Sequence, residues 1–341
     1  MGTPILFIFS LLDQVTFPSE SAVAAANFIC EMVLYERRRY GVCMKRIGQW
    51  LAFLLFALCF TLSAAAQAVQ VKHILLWRVD SGDSIVYLLG SVHVAKPDLY
   101  PLNGYIESAF SGSTRLVVEV DVRNIEQVSL QKKILTFGVL PQGRTLRGEL
   151  DARDAKRLEE KLSALGVPVD SFDRFRPWVV YSVLAELDFS RLGYEAANGV
   201  DVHFLGRAGD REVVELESAD LQLELMAGFS DQEQRELLVE YLDESGKLEE
   251  EWGSLFDAWL SGDDGRVGEI LATEIHDTQL DRRVEEILLK KRDAAMAEKI
   301  EGLLKRPGAS FVVVGAAHLF GKGSVVDILK QGGYAVTIVK E

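Results

Sequence analysis

The segment FVVVGAAHLFGKG, residues 311–323, is an apolar run that ends in glycine and places a histidine three residues later. The same pattern occurs far upstream, where residues 85–97 read IVYLLGSVHVAKP. Short apolar runs that end in glycine are typical of buried strands. The two copies therefore predict that His93 and His318 each follow a strand of one sheet. The chain has five histidines, and two of them hold matched positions.

The segments around these runs predict an α/β fold. Residues 73–80 and 84–93 read as strands joined by a tight turn, a helix begins near Pro101, and residues 114–122 form a third, continuously apolar strand. The middle of the chain has helical spacing, with Asp151 and Gly166 where caps are expected. We expect a central, mostly parallel or mixed sheet flanked by helices, with a large helical insertion.

Further strands and helices are predicted towards the carboxyl terminus. Residues 211–218 read as a short strand, and residues 219–306 are amphipathic and heavily charged, which is typical of solvated helices. The chain closes with a strand, a helix and a strand over 310–340.

Carboxylates follow a third strand, in the segment LVVEVD at residues 116–121. The two-residue alternation of a strand puts Glu119 and Asp121 on one face. Ligands of α/β sheets bind at the carboxyl ends of the strands, where His93 and His318 are also expected. Two imidazoles and one or two carboxylates are the ligands of catalytic metal sites that keep a position open for water. They suit Zn²⁺, Mn²⁺, Co²⁺ or Fe²⁺, and Glu119 is either a ligand or a general base.

Three other polar residues are candidates for this site. Arg292 either stabilises a developing oxyanion, clamps a carboxylate or forms a salt bridge to the acidic helices. Asp201 either orients a histidine or caps the helix after Gly199. Glu217, near the end of the strand that also carries Glu215, is close enough in sequence to reach the same edge. The other three histidines are predicted to lie outside the site: His73, His203 and His276.

Composition excludes several classes of function. The chain of 341 residues is 48% hydrophobic and 26% charged, which is typical of a globular protein with a large core. Its net charge is −14, with no basic patch interleaved with aromatic residues, so we expect no nucleic-acid partner. All three cysteines precede residue 60, which leaves the rest of the chain without thiol chemistry.

The first 68 residues predict export. From Met44 the chain has a basic start, an apolar run and the small-residue sequence Ala66-Gln67-Ala68, which together indicate a signal peptide over 44–68. A transmembrane anchor is the alternative, although the apolar run is short for one. Residues 1–43 read as a non-native extension or a disordered leader. We therefore expect a periplasmic or secreted protein, without a stable membrane anchor after cleavage, whose single domain spans 69–341.

Several blocks of the chain resemble the TraB/GumN family, which includes the animal Tiki proteases. The blocks occur in the family's order at residues 87–121, 176–180, 199–208, 213–226, 291–304 and 312–339. The resemblance implies an α/β fold related to erythromycin esterases and haem-binding ChaN proteins. In Tiki-like members it implies Mn²⁺- or Co²⁺-dependent peptide hydrolysis by two GxxH motifs and a glutamate.

The family's motifs fall on Gly90–His93, Glu119 and Gly315–His318. Arg292 matches the family's arginine before its last helix, and Asp293 stands where the family often has asparagine.

The sequence and the resemblance together predict an exported hydrolase of peptide bonds that uses water bound to a divalent metal, with a peptide or a small molecule as its substrate. His93, His318 and Glu119 are expected to bind the metal, while Glu119, Arg292 and Glu217 serve catalysis. One alternative is a ChaN-like protein that binds haem, iron or another ligand. The other is an esterase in which His93 activates water without metal. No particular oligomeric state is predicted.

Overall fold

A computed structural model describes residues 72–273 and 278–339. The predicted extension (1–43) and signal peptide (44–68) lie outside the described residues, as does His276.

The core of the described chain is one mixed sheet, which confirms the predicted α/β class. Its strands are β1 Leu76–Ser81, β2 Ser84–Ser91, β3 Arg115–Val118, β4 Glu212–Glu215, β5 Gly308–Gly315 and β6 Val336–Ile338. Their order is β4-β3-β5-β2-β1-β6. The strands β4, β3, β5 and β2 run parallel, whereas β1 is antiparallel to both β2 and β6. Four neighbouring strands therefore end at the same edge.

Apolar side chains explain why β3 and β5 lie in the middle of the sheet. All four residues of β3 are buried, as its continuous apolar run predicts. In β5 the last six residues are buried as well. The strand β3 is shorter than the predicted 114–122, because the chain leaves the sheet after Val118 and turns at Asp121.

Helices fill the connections between the strands. They are α1 Gly104–Ser111, α2 Gln127–Gly138, α3 Leu146–Glu149, α4 Ala152–Ala164, α5 Pro177–Arg191, α6 Val200–Gly206, α7 Ala219–Ala227, α8 Asp231–Glu244, α9 Leu248–Ser261, α10 Asp264–Thr273, α11 Gln279–Glu285, α12 Lys291–Leu303 and α13 Val325–Gln331. The predicted helical insertion consists of α2–α6 between β3 and β4 and α7–α12 between β4 and β5. A π-helix, Glu286–Lys290, joins α11 to α12.

The predicted caps of α4 are present. The Asp151 carboxylate accepts a hydrogen bond from the N–H of Asp154, and Gly166 adopts a φ of +73° just after the helix. The prediction that α1 begins near Pro101 is wrong by three residues. The helix begins at Gly104, and Asn103 is the residue that precedes it.

Helices α6 and α12 pack against strands whose carboxyl ends precede predicted site residues. Helix α6 contacts β3 and β5, and α12 contacts β2 and α13. Within the described ranges, no helix is both long and apolar enough to cross a membrane.

Candidate active site

Four predicted site residues meet at one edge of the sheet because each follows one of the parallel strands. Glu119 comes directly after β3, His93 and Glu217 come two residues after β2 and β4, and His318 comes three residues after β5. Their exposed fractions lie between 2% and 8%. The structure thus brings His93, His318, Glu119 and Glu217 into one buried polar region, which we call the centre.

Gly315 marks the point where three of these side chains converge. A Cβ atom built on Gly315 would lie 3.2 Å from Glu119 Oε1, 3.2 Å from His93 Nε2 and 3.5 Å from His318 Cδ2. At the matched position, a Cβ on Gly90 would lie 3.1 Å from the Cα of Ala316. Neither glycine has a positive φ, so both serve close approach rather than an unusual backbone conformation.

Each histidine of the centre has a carboxylate at its Nδ1 atom. His318 Nδ1 lies 2.5 Å from Asp293 Oδ1, and His93 Nδ1 lies 3.4 Å from Asp201 Oδ2. Both aspartates are buried, and Ser91 Oγ also donates to Asp201. A carboxylate at Nδ1 favours the tautomer whose proton is on that nitrogen, which leaves the lone pair on Nε2.

Burial and charge act in opposite directions on His93. Burial alone would lower the pKa of the His93 imidazole, but the Asp201 and Glu119 carboxylates raise it above its ordinary value. Burial raises the pKa of Asp293 in spite of its contact with His318.

Glu119 is held by a network that includes Arg292 of α12. Arg292 Nη2 donates to Glu119 Oε2 at 2.7 Å, the Gly315 N–H donates to Oε1 at 2.6 Å, and Gln222 of α7 donates to Oε2 at 3.1 Å. Burial alone would raise the pKa of Glu119, but Arg292, the two histidines and the Gly315 N–H hold it at about 2. This carboxyl group is therefore ionised at neutral pH.

Glu217 shares Arg292 with Glu119. Arg292 donates from Nε to Glu217 Oε1 and from Nη2 to Glu217 Oε2, both at 2.8 Å. Its Nη1 donates to the carbonyl oxygen of Leu288 in the π-helix. Burial would lower the pKa of Arg292, but the two glutamates raise it. Arg292 thus forms salt bridges with carboxylates of the centre and not with the acidic helices that one alternative named.

Asp201 and Asp121, two further acidic residues named from the sequence, differ in their contacts with the centre. Asp201 lies against His93, and the start of α6 has no side-chain cap. Asp121 does not share a face with Glu119, because β3 ends at Val118 and the Asp121 carboxylate turns to Arg123 and Asn124.

The other named residues lie outside the centre. Glu215 is exposed and accepts from the backbone N–H of Asp121. His203 stacks on Tyr100 with ring centroids 3.9 Å apart, and His73 is exposed.

The centre is rich in negative charge. Four buried carboxylates, those of Glu119, Glu217, Asp201 and Asp293, surround the imidazoles together with one guanidinium, that of Arg292. If the carboxyl groups are counted as anions and the imidazoles as neutral, the formal charge of this cluster is −3. Burial of uncompensated charge is costly, so this arrangement favours a bound cation or protonated imidazoles.

The fit of a divalent metal rests on donor chemistry. In the described part of the chain, no group of three or more His, Cys, Asp or Glu residues forms a ready metal site. However, His318 Nε2 and Glu119 Oε1 are 4.0 Å apart, within twice the usual metal–ligand distance of about 2.0–2.2 Å. Histidines that bind metals commonly have a carboxylate at their other nitrogen, as both do here. By these criteria the donor types fit a divalent ion.

Sequence reasoning missed the roles of two residues that contact the centre. Gln222 lies in the first turn of the helix that follows Glu217, a position from which a side chain can reach back to the strand end. Asp293 departs from the family pattern, and its place beside Arg292 is the signal that the sequence offers.

Comparison with known proteins gives the following relatives. Residues 75–338 match the sequence profile described as the TraB/PrgY/gumN family. An uncharacterized protein of Treponema pallidum (strain Nichols) is 27% identical over 288 residues, 80% of this chain and 86% of that protein. The uncharacterized protein YbaP of Escherichia coli (strain K12) is 23% identical over 254 residues, 73% of this chain and 89% of YbaP.

One further relative carries a descriptive name. Metalloprotease TIKI2 of Danio rerio is 43% identical over 60 residues, 17% of this chain and 12% of that protein. No solved structure matches the chain, so the expected likeness to ChaN proteins stays a prediction.

Proposed function

The chain belongs to the TraB/PrgY/gumN family, and we propose that it is an exported, metal-dependent hydrolase of peptide bonds. The observation that carries this proposal is the centre itself. Two imidazoles with carboxylates at Nδ1 face an ionised glutamate, inside a cluster whose formal charge is −3. A dication would reduce that charge to −1, and the same donors are those of hydrolytic metal sites.

His93 and His318 would bind the ion through Nε2, and Glu119 through Oε1. The family resemblance favours Mn²⁺ or Co²⁺, and the donor types also admit Zn²⁺. When bound, such an ion lowers the pKa of water and polarises a carbonyl oxygen.

The surrounding residues hold these donors in place. Asp201 and Asp293 keep the proton of each imidazole on Nδ1, so that both Nε2 atoms present a lone pair. The Gly315 N–H, Arg292 and Gln222 orient Glu119. Because Arg292 and the Gly315 N–H stabilise its ionised form, Glu119 is better suited to binding a cation than to carrying a proton at neutral pH.

In the described part of the chain, the Arg292 guanidinium forms salt bridges with Glu119 and Glu217. We therefore assign it to the orientation of these carboxylates rather than to an oxyanion. Glu217 is the second carboxylate bound by Arg292, and it helps to compensate the positive charge of the guanidinium.

Peptides are the proposed substrate because the relative named metalloprotease TIKI2 shares a short matched segment. Export rests on the signal peptide predicted from residues 44–68.

The metal-independent esterase is a second candidate, since the contact of His93 with Asp201 also suits a general base. The haem alternative is not favoured, because carboxylates contact both imidazoles.

Metal content and peptide cleavage test the proposal together. We expect near-stoichiometric metal, measured by mass spectrometry, in the parent chain and much less in His93→Ala and His318→Ala. A mixture of random-sequence peptides should be cleaved by the parent loaded with Mn²⁺ or Co²⁺, but not after chelation. Cleavage that survives exhaustive chelation would favour the esterase-like mechanism. A folded parent that takes up none of Mn²⁺, Co²⁺ and Zn²⁺ would refute the proposed metal dependence.

A further inference from the structure

Gln222 is a buried side chain of the centre whose orientation is fixed by its neighbours. It is 5% exposed, and its Nε2 donates to Glu119 Oε2 at 3.1 Å and to Glu217 Oε2 at 2.8 Å. An amide nitrogen has two N–H bonds, and both are used. The reversed amide would turn its carbonyl oxygen towards two carboxylates, so the contacts select one orientation.

The carbonyl oxygen of the same amide lacks a hydrogen-bond donor. Gln222 Oε1 is buried and has no partner among the described residues. Buried carbonyl oxygens are nearly always paired, because leaving one unpaired is unfavourable. Oε1 shares its carbon atom with Nε2 and therefore lies beside Glu119 and Glu217. A fixed acceptor is thus present at the centre.

We infer that Gln222 Oε1 binds an N–H group of the substrate, an inference that rests on the proposed function. The oxygen can only accept, so its partner must be a donor, and the neighbouring carboxylates disfavour an anionic one. A peptide carries such an N–H at the cleaved bond and at the bonds on either side. The corresponding ester lacks it. Gln222 therefore selects amides over esters that are otherwise identical.

A single-atom exchange in the substrate tests this selection. Starting from a peptide that the metal-loaded chain cleaves, the N–H of the cleaved bond and of each adjacent bond is replaced in turn by an ester oxygen. Because esters differ intrinsically in reactivity, kcat/KM for each ester is compared with that of the peptide in the parent and in the variants. We expect Gln222→Met to lower kcat/KM for the peptide by about 10- to 100-fold. For one of the esters the loss should be much smaller.

Gln234 of α8 provides a matched control. It is fully buried, its Nε2 donates to the carbonyl oxygen of Phe229, and its Oε1 also lacks a partner among the described residues. Unlike Gln222, it has no hydrogen bond to a residue of the centre. Gln234→Met should therefore change the kcat/KM values for peptide and esters by the same factor.

Two results would overturn the inference. One is a Gln222→Met variant, shown by circular dichroism to be folded, that loses peptide and all ester cleavage equally. The other is a Gln222→Met variant that keeps the kcat/KM of the parent for the peptide. If Gln222→Met does not fold, Gln222→Asn, which retracts the carbonyl group, takes its place.

Calorimetry separates this inference from the proposed function. If the parent cleaves no peptide in the mixture, the proposed function fails. Binding of an uncleaved tripeptide and its two monoester analogues then decides the role of Gln222. Tighter binding of the tripeptide, by about tenfold, in the parent but not in Gln222→Met would retain Gln222 as an N–H acceptor. Equal binding in both would remove it.

Discussion

Replacing Gly315 by alanine would place a methyl group where two imidazoles and a carboxylate converge. The new Cβ would lie 3.2 Å from both His93 Nε2 and Glu119 Oε1, closer than carbon atoms normally approach such atoms, so these side chains must move by a few tenths of an ångström. The φ of Gly315 is −49°, which alanine adopts readily. The backbone therefore adds no strain, and the whole effect comes from the displaced side chains.

The expected magnitude follows from two opposing contributions. Overpacking of a buried site costs about 1–3 kcal/mol, and the loss of glycine's freedom in the unfolded chain returns about 0.4–1 kcal/mol. We therefore expect the free energy of unfolding of Gly315→Ala to fall by about 1–2 kcal/mol. Affinity for Mn²⁺ or Co²⁺ should fall by about tenfold or more, because the displaced atoms are the proposed ligands.

Urea denaturation and titration calorimetry measure the two quantities. Gly302→Ala in α12 is the matched control, because a Cβ there meets no atom within 4 Å and alanine favours the helix by about 0.5–1 kcal/mol. Its stability should stay equal or rise, with metal affinity unchanged. If Gly315→Ala kept both the stability and the metal affinity of the parent, the convergence of donors at Gly315 would be refuted.

Three further substitutions or conditions probe the same centre. Asp293→Asn, which keeps an acceptor near His318 but removes a charge, should weaken metal binding by about 10- to 100-fold in calorimetry; unchanged affinity would show that the charge of Asp293 is dispensable. Arg292→Ala leaves Glu119 and Glu217 buried without their cation and should cost about 3–5 kcal/mol in urea denaturation, a loss that Arg292→Ala combined with Glu217→Gln should partly reverse. The depressed pKa of Glu119, about 2 against 4.5, contributes stability that is present above pH 4.5 and lost as the pH falls towards 2. The parent should therefore lose about 3 kcal/mol more than Glu119→Gln over this range, and equal losses in acid denaturation would contradict the proposed pairing.

The sequence predicts which strands end at the centre better than it predicts which other residues contact those strand ends. Apolar runs locate β2, β3 and β5, and because parallel strands end together, His93, Glu119 and His318 are expected to meet. The predicted shared face of Glu119 and Asp121 is wrong, because side chains alternate only while the chain remains a strand, and β3 ends three residues before Asp121.

Local sequence patterns do not predict contacts between the helices and strand ends that are distant in sequence. Gln222 meets Glu119 across 103 residues of sequence, and Asp293 meets His318 across 25. Such pairs depend on how α7 and α12 pack against the strand ends. Neither periodicity nor residue type specifies that packing.

The position of β5 has a consequence for the order of events during biosynthesis. This strand comes late in the chain, yet it lies between β3 and β2 and is the neighbour that joins them. Before residue 318 has been synthesised and β5 has inserted, His93 and Glu119 belong to separate halves of the sheet. The centre therefore cannot assemble on a nascent chain that still lacks β5 and His318. If the proposed site binds a cation, that ion is acquired from the compartment in which folding finishes.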